Sequence, residues 1–261
     1  MPFVDVRDLT MYYEFHGAGP RLLHISGSGG DLRRTAPAQS SLNRDFEGLH
    51  YDQRGLGQTS PGEGQPAMVD FADDAAALCA TLGWERGHVV GSSFGGMVAQ
   101  HLAIRHPELV DRLVLNCTSP GGDQPSYPLH ELQALSVDER AEAWMPLLDT
   151  RYVPGEDIPG LGPLTEYFRT GQSADLPADA AAGFARQLEA RRTHDASPGL
   201  PGIGAPTLVC AGRYDGIAPL SNAEAIADAI PGAVLEVFDG GHAFMMQDPR
   251  AMVRIRDFLL G

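Results

Sequence analysis

A serine lies between two glycines in residues 91–95 (GSSFG), and its surroundings suggest nucleophilic chemistry. The run at residues 86–90 predicts a strand that enters this segment, and the pattern at residues 97–106 predicts a helix that leaves it. A sharp turn between strand and helix strains its central residue and exposes the hydroxyl, while the flanking glycines leave room for neighbouring backbone. Ser93, rather than Ser92, is therefore the predicted nucleophile.

A serine hydroxyl attacks a carbonyl efficiently only when a base removes its proton and a third group orients that base. The buried-strand pattern at residues 205–212 ends in a loop that carries Asp215. The apolar run at residues 233–238 ends in a loop that carries His242. Catalytic groups gather at the carboxyl ends of strands in open parallel sheets, and the chain order serine, aspartate, histidine is the order expected there. These residues are the predicted acid and base that serve the nucleophile.

The glycine-rich residues 27–30 follow a predicted strand at residues 21–26 and can present backbone N–H groups to a developing oxyanion. The predicted donors are the N–H groups of Ser28 and Phe94. A phosphate-binding loop of the Walker type would need a lysine, and the chain contains none. A dinucleotide-binding fingerprint would need glycine at the position of Leu32. An oxyanion-binding turn is therefore the preferred interpretation.

Strand and helix patterns alternate along residues 3–117 and again along residues 205–260, which is typical of a parallel sheet with crossover helices. Residues 119–201 differ, because they contain helical patterns and no convincing strand. We therefore predict a core domain of residues 1–118 and 202–261, with residues 119–201 as a helical cap inserted after the sixth strand. The helical patterns of the cap lie at residues 129–135, 138–148 and 178–190.

The chain resembles the α/β-hydrolase fold family along residues 3–260. Besides the serine turn and the loops of the predicted acid and base, the resemblance rests on residues 51–57 (YDQRGLG) and 106–115 (HPELVDRLVL). The chain is most similar to the branch of 3-oxoadipate enol-lactonase-like enzymes and small esterases. This resemblance implies an α/β fold with a mostly parallel central sheet and flanking helices. It also implies hydrolysis of a carboxylic ester or lactone, with no cofactor and no metal.

Several positions limit how the family pattern is applied. Relatives usually carry His-Gly in the oxyanion turn, where this chain has Ser26 and Gly27, so we expect the support of that turn to differ. Haloalkane dehalogenases and most epoxide hydrolases of the fold carry an aspartate nucleophile, so the serine at position 93 argues against both. Some relatives place the acid after the sixth strand, but residues 116–118 (NCT) contain no acid. Asp215 therefore has no obvious rival.

The cap is expected to form the wall of the substrate pocket opposite the serine, because the core alone cannot enclose a substrate. Aromatic residues of a helical layer often serve packing instead, so the candidates need structural placement. Two neighbouring arginines near the end of the cap can hold a substrate carboxylate through a bidentate contact. The candidates are Trp144, Met145, Tyr152, Tyr167, Phe168 and Phe184, with Arg191 and Arg192 as the arginines.

The composition limits the partners of the protein. Thirty-four acidic residues against 19 basic ones give a formal net charge of −15, which opposes binding to nucleic acid or to anionic membranes.

A chain of 261 residues with 43% hydrophobic content can bury one large core. Cys79, Cys117 and Cys210 show no metal or redox spacing and are predicted to be core residues. With no long apolar run and no signal-peptide pattern, we expect a cytoplasmic protein that acts on a small molecule. The composition leaves the oligomeric state open.

The predicted mechanism is acyl transfer to the serine. His242 accepts the proton of Ser93 as the oxygen attacks an ester or lactone carbonyl, and Asp215 orients the histidine. The N–H groups of Ser28 and Phe94 bind the oxyanion, and water then releases the acyl group. The same fold also serves C–C bond hydrolases, perhydrolases and enzymes that tailor polyketide-like products, and a ligand-binding protein can retain such a triad. These alternatives stay open at the level of the sequence.

Overall fold

A computed structural model describes residues 2–173 and 178–261, and an eight-stranded sheet forms its centre. The strands are β1 (Phe3–Val6), β2 (Leu9–His16), β3 (Arg21–Ile25), β4 (Glu47–Tyr51), β5 (Gly87–Ser92), β6 (Val110–Asn116), β7 (Thr207–Gly212) and β8 (Val234–Phe238). They lie in the order β1-β2-β4-β3-β5-β6-β7-β8. The strand β2 pairs antiparallel with β1 and β4, whereas all pairings from β4 through β8 are parallel.

Helices connect and cover these strands. They are α1 (Leu32–Thr35), α2 (Met68–Thr81), α3 (Phe94–Arg105), α4 (Val137–Leu148), α5 (Leu164–Ser173), α6 (Ala178–Arg192), α7 (Leu220–Ala229), α8 (Phe244–Gln247) and α9 (Arg250–Leu260). Short 3₁₀ turns lie at Pro37–Gln39, Ser41–Arg44, Pro107–Leu109, Leu129–Ala134 and Leu200–Gly202. The core helices follow the strands that the sequence predicted.

The strand β7 is largely apolar because both of its faces are covered, whereas only Phe238 of the edge strand β8 is buried. All six residues of β7 are buried. One face of the sheet packs against α2, α3 and α7 in a cluster that contains Phe71, Met97 and Ile226. The other face packs against α8 and α9, with Phe244 and Ile255 in a second cluster. This doubly covered, mostly parallel sheet confirms the predicted fold class.

The segment between β6 and β7 contains the helices α4, α5 and α6 and no named strand among its described residues. The predicted helical pattern at residues 129–135 forms a 3₁₀ turn, not an α-helix. The helix α5 has no counterpart among the predicted patterns, because it is short and largely polar, and its apolar residues Leu164, Tyr167 and Phe168 span little more than one turn. Two small apolar clusters hold this segment together. They contain Leu129, Leu132, Leu188 and Ile217 in one case and Met145, Leu148, Ile158 and Leu161 in the other.

The three cysteines lie in the interior of the protein. Cys79, Cys117 and Cys210 are buried and unpaired, and burial raises the pKa of the Cys79 thiol to about 12. Among residues 2–173 and 178–261, no cluster of histidine, cysteine and acidic side chains has the arrangement of a metal site. No helix within those ranges is long and apolar enough to cross a membrane.

Candidate active site

Ser93 connects β5 to α3 in a strained backbone conformation, with φ of 54° and ψ of −117°. Its N–H donates to the carbonyl oxygen of Asn116 over 2.9 Å, and its own carbonyl accepts from the Thr118 hydroxyl over 2.8 Å. Gly95 must lack a side chain, because a Cβ there would clash with the carbonyl oxygen of Ile25 on β3. Neighbouring strands therefore fix the position of the serine hydroxyl.

His242 lies between the serine and a buried carboxylate. The hydroxyl of Ser93 donates to Nε2 of His242 over 2.9 Å, and Nδ1–H of the same ring donates to Oδ2 of Asp215 over 2.8 Å. The other carboxylate oxygen, Oδ1, accepts from the N–H groups of Ile217 and Ala218 over 2.8 and 2.9 Å. A carboxylate only accepts, so the contact with Nδ1 places the ring proton there and leaves the lone pair of Nε2 for the serine. The structure thus brings the predicted nucleophile, base and acid into one hydrogen-bonded row.

The end of α4 supports the loops of both the acid and the base. The N–H of His242 donates to the carbonyl oxygen of Leu148 over 2.7 Å, and the N–H of Gly216 donates to that of Leu147 over 3.0 Å. A Cβ at Gly241 would clash with the same Leu148 oxygen. The last carbonyls of a helix lack partners within the helix, and here the two loops satisfy them. Sequence reasoning missed this support, since nothing in the helical pattern of α4 indicates what its final turn contacts.

The predicted oxyanion donors lie on either side of the nucleophile. Phe94 directly follows Ser93 and begins α3. Gly27, which precedes Ser28, lies so close that a Cβ built on it would be 3.5 Å from Cβ of Ser93. Within the described residues, neither the Ser28 N–H nor the Phe94 N–H donates to another protein group. Both donors are therefore available to an oxyanion.

Two glutamines hold the oxyanion turn. Nε2 of Gln53 donates to the carbonyl oxygen of Ser26 over 2.7 Å, and Oε1 of Gln187 accepts from the N–H of Gly29 over 2.8 Å. Ser26 and Gly27, at the position where relatives usually carry His-Gly, thus lie in a turn that both glutamine side chains contact. Gln53 belongs to the segment 51–57 that carried part of the resemblance, so that motif was a usable signal. No local pattern indicates Gln187, which reaches the turn from α6 in the cap.

A cavity of about 360 Å³ lies between the oxyanion turn and the cap. Its wall includes Ser28 from the turn and four of the predicted aromatic residues. Tyr167 is 57% exposed, so the cavity reaches the surface near α5. The cap residues in the wall are Leu129, Leu132, Gln133, Arg140, Trp144, Tyr167, Phe168 and Phe184.

The structure places the other predicted pocket residues away from this wall. Tyr152 and Met145 belong to the second small apolar cluster of the cap. Arg192 is exposed and pairs with Glu189 over 2.6 Å, because it lies on the outer side of α6. Arg191 points inward and is buried, but it is not among the residues that line the cavity. Spacing along a helix did not reveal which of two adjacent arginines faces the core.

Comparisons with known proteins agree with this architecture. The family model described as alpha/beta hydrolase fold matches residues 20–166. A protein of Pseudomonas syringae named "Putative carbamate hydrolase RutD" is 31% identical, over 95% of this chain and 98% of its own length. The crystal structure of a hydrolase from Pseudomonas aeruginosa is 28% identical with a TM-score of 0.80, and covers 99% of this chain and 98% of that one. An enol-lactonase from Burkholderia xenovorans is 25% identical with a TM-score of 0.83, over the full length of both chains.

The family assignment rests on agreement between sequence and structure. The matched segment 20–166 covers more than half of the chain and includes the strained serine turn. The RutD relative extends the likeness almost from end to end, and the solved structures share the whole fold. This chain belongs to the α/β-hydrolase fold family.

Proposed function

We propose that this protein is a serine hydrolase that cleaves a carboxylic ester or lactone through an acyl-enzyme. The observation that carries the proposal is the row of hydrogen bonds from Ser93 through His242 to Asp215, beside a turn with free N–H groups and a cap cavity. The hydrolase and the enol-lactonase among the solved structures support the same class of reaction. The substrate is accordingly a small molecule that fits the cavity.

In the first step the oxygen of Ser93 attacks the carbonyl carbon while Nε2 of His242 takes the hydroxyl proton. The negative charge that forms on the carbonyl oxygen is bound by the N–H groups of Ser28 and Phe94. Each such donor contributes roughly 10²-fold to 10³-fold to the rate of comparable hydrolases. Asp215 stabilises the imidazolium and keeps the ring in the tautomer that accepts at Nε2.

The imidazolium then gives its proton to the leaving oxygen, and the bond between that oxygen and the carbonyl carbon breaks. From an ester the alcohol departs, whereas from a lactone the new hydroxyl stays attached to the acyl chain. Water next attacks the acyl-enzyme, His242 takes a proton from that water, and the serine oxygen leaves with a proton returned from the ring. With the substrate and one water molecule, the side chains named here balance these steps.

A carbamate is the second candidate substrate, because the 31% identical relative carries the name of a carbamate hydrolase. A carbamate carbonyl accepts the same attack, and its nitrogen would take the proton from His242. The triad does not discriminate between these substrates, so the distinction depends on the cap cavity. A panel of activated esters, lactones, carbamates and vinylogous diketones separates the ester and lactone class from the carbamate and C–C bond alternatives.

The test of the proposed class is Ser93→Ala in an assay with an activated ester. We expect the rate to fall roughly 10⁴-fold to 10⁶-fold, because the nucleophile is lost. Ser92→Ala is the matched control, since its hydroxyl accepts from Nδ2 of Asn116 over 3.3 Å, has no hydrogen bond to His242 and should not form an acyl bond. A covalent adduct on Ser93 with a fluorophosphonate, detected by mass spectrometry, provides an independent readout. A ligand-binding protein would show neither turnover nor dependence on Ser93.

A further inference from the structure

Among the residues that the structure describes, Arg191 is a buried cation without a direct carboxylate partner. It lies in the last turn of α6 and is 8% exposed. Its Nη2 donates to the carbonyl oxygen of Tyr127 over 3.5 Å, while Nε and Nη1 meet no acceptor in the part of the chain that the structure describes. A buried guanidinium is costly unless an opposite charge compensates it. The compensating charge must therefore act over a longer distance.

The charged neighbour of Arg191 is the acid of the proposed triad. Asp215 and the Cys117 thiol are the groups whose charges act on this guanidinium. Burial raises the pKa of Cys117 well above its usual value, and burial lowers the pKa of His194 to about 4, so both are neutral near pH 7. Burial lowers the pKa of Arg191 only to about 10, which leaves it charged. Further titratable groups near this cluster are His101 and Asp195, which act on His194, and His242, which contacts Asp215.

A short backbone segment also connects the two charges. The Tyr127 peptide accepts from Arg191 at its carbonyl, and its N–H donates to the carbonyl oxygen of Ile217 over 2.7 Å. The N–H of Ile217 donates in turn to Oδ1 of Asp215. The Asp215 side chain is fully buried, and within the described residues its ion-pair partner is His242. Arg191 and Asp215 thus share one dry, hydrogen-bonded region.

We propose that Arg191 is a positioning residue that acts as a distant counter-charge, keeping Asp215 ionised and thereby setting the pH range in which His242 works as a base. The inference rests on the proposed function. Without the cation, the pair of Asp215 and His242 takes up its first proton more readily. That proton binds either to the buried carboxylate or to the imidazole beside the ionised carboxylate. Either outcome removes the active base at a higher pH than in the wild type. Arg191 can have this role because it is buried, and solvent and salt screen the interaction between buried charges only weakly.

The experiment compares the pH dependence of kcat/KM for an activated neutral ester in the wild type, Arg191→Met, Arg191→Lys and Arg192→Met. The acid limb of this profile is the fall in kcat/KM as the pH decreases. In Arg191→Met its midpoint should move to higher pH by about 0.5 to 1.5 pH units, as expected for the loss of one nearby charge. Arg191→Lys retains the charge and should restore most of the wild-type profile. Arg192→Met removes the same formal charge from an exposed position and should leave the limb in place.

An unmoved limb in Arg191→Met, with activity reduced equally at every pH, would show a purely structural role and overturn the inference. A selective rise in KM for acidic esters, with no shift of the limb, would overturn it in favour of direct substrate binding. Arg191→Gln, which retains N–H donors toward Tyr127, is measured in parallel because Met can disturb folding, and melting curves verify both variants. Activity in the wild type that does not depend on Ser93 would contradict the proposed function itself, which distinguishes the two failures.

Discussion

The core and the cap of this protein position their functional groups in different ways. In the core, backbone atoms of adjacent strands hold Ser93, and backbone N–H groups hold Asp215. In the cap, aromatic side chains on separate helices form the cavity wall, and Tyr167 is largely exposed. A side chain held by several backbone contacts has few alternatives, whereas an exposed ring has many. From this comparison we infer that, in the proposed hydrolase, the chemistry depends on the sheet and the choice of substrate on the cap.

The two regions nevertheless meet at specific contacts. The final carbonyls of α4 accept from the loops of the acid and the base, and Gln187 of α6 accepts from the oxyanion turn. The cap therefore contributes to the geometry of the core site as well as to the pocket. The following variants test where this division of roles holds.

The largest effect should come from Asp215→Asn, which we expect to lower kcat/KM about 10⁴-fold. The asparagine can still accept from Ile217 N–H, but its amide group would favour the wrong tautomer of His242. Melting temperature and kcat/KM for an activated ester are the measurements. Asp239→Asn is the matched control, because this exposed carboxylate pairs with Arg151 and contacts neither Ser93 nor His242. A wild-type rate in Asp215→Asn with an inactive Asp239→Asn would contradict the assignment of the acid.

An intermediate effect is expected at the joint between core and cap, where two buried histidines meet. Nε2 of His101 on α3 lies 3.2 Å from Nδ1 of His194, and Nε2 of His194 donates to the Ser119 carbonyl oxygen over 3.0 Å. These two contacts connect Ser119 and His194, which lie near the two ends of the cap segment, to α3, the helix that follows Ser93. Burial lowers the pKa of both imidazoles to about 4.

Because these folded-state pKa values lie below the ordinary value of about 6.5, the unfolded chain takes up the protons first as the pH falls. The stability present above pH ~6.5 should be lost progressively down to pH ~4, by on the order of 3 kcal/mol for one histidine. Denaturant unfolding across this range measures the slope. His101→Gln should flatten it, whereas His106→Gln, at a partly exposed histidine paired with Asp73, should retain it. Equal slopes in His101→Gln and the wild type would exclude this pair as the cause.

The smallest effect is expected from Phe184→Ala in the cavity wall. The ring packs against the oxyanion turn at Gly29 and against the Leu129 cluster, so its loss should weaken binding of a bulky ester by about 1 to 1.5 kcal/mol, or roughly tenfold in KM. A small acetyl ester should react almost as in the wild type, since the triad is untouched. Tyr152→Ala is the control, because Tyr152 packs outside this cavity. A similar loss for both esters would show that the cap governs the chemistry as much as the choice of substrate.

The sequence indicated which side chains of the core lie together, because the signals for Ser93, Asp215 and His242 are local. The close backbone approach around the serine turn requires glycine at positions 91 and 95, and that requirement is visible within residues 91–95. Apolar runs that end in turn residues are typical of strands in a parallel sheet, so the runs before Asp215 and His242 identified the edge at which both side chains lie. Strand patterns with turn residues at their ends therefore indicated which groups would gather at one site.

The cap was harder to predict because its patterns are weak. The helix α5 is largely polar, and residues 129–134 form a 3₁₀ turn where a helix was expected. Short helices gain most of their stability from packing an apolar face against neighbouring elements, so local propensity alone does not predict them. The same limit applies to Arg191 and Arg192, whose identical side chains end in opposite environments.

The sequence by itself determined the fold class, the strained serine turn and the chain order of serine, aspartate and histidine, since each depends on a few consecutive residues. Only the tertiary structure decided that the carbonyl of Leu148 would support His242, that Gln187 would hold Gly29 and that Arg191 would be buried near Asp215. These contacts join distant parts of the chain, and they exist only after the cap packs on the core. Local pattern carries no information about such packing, because the free energy that selects it comes from surfaces that meet after the elements have formed.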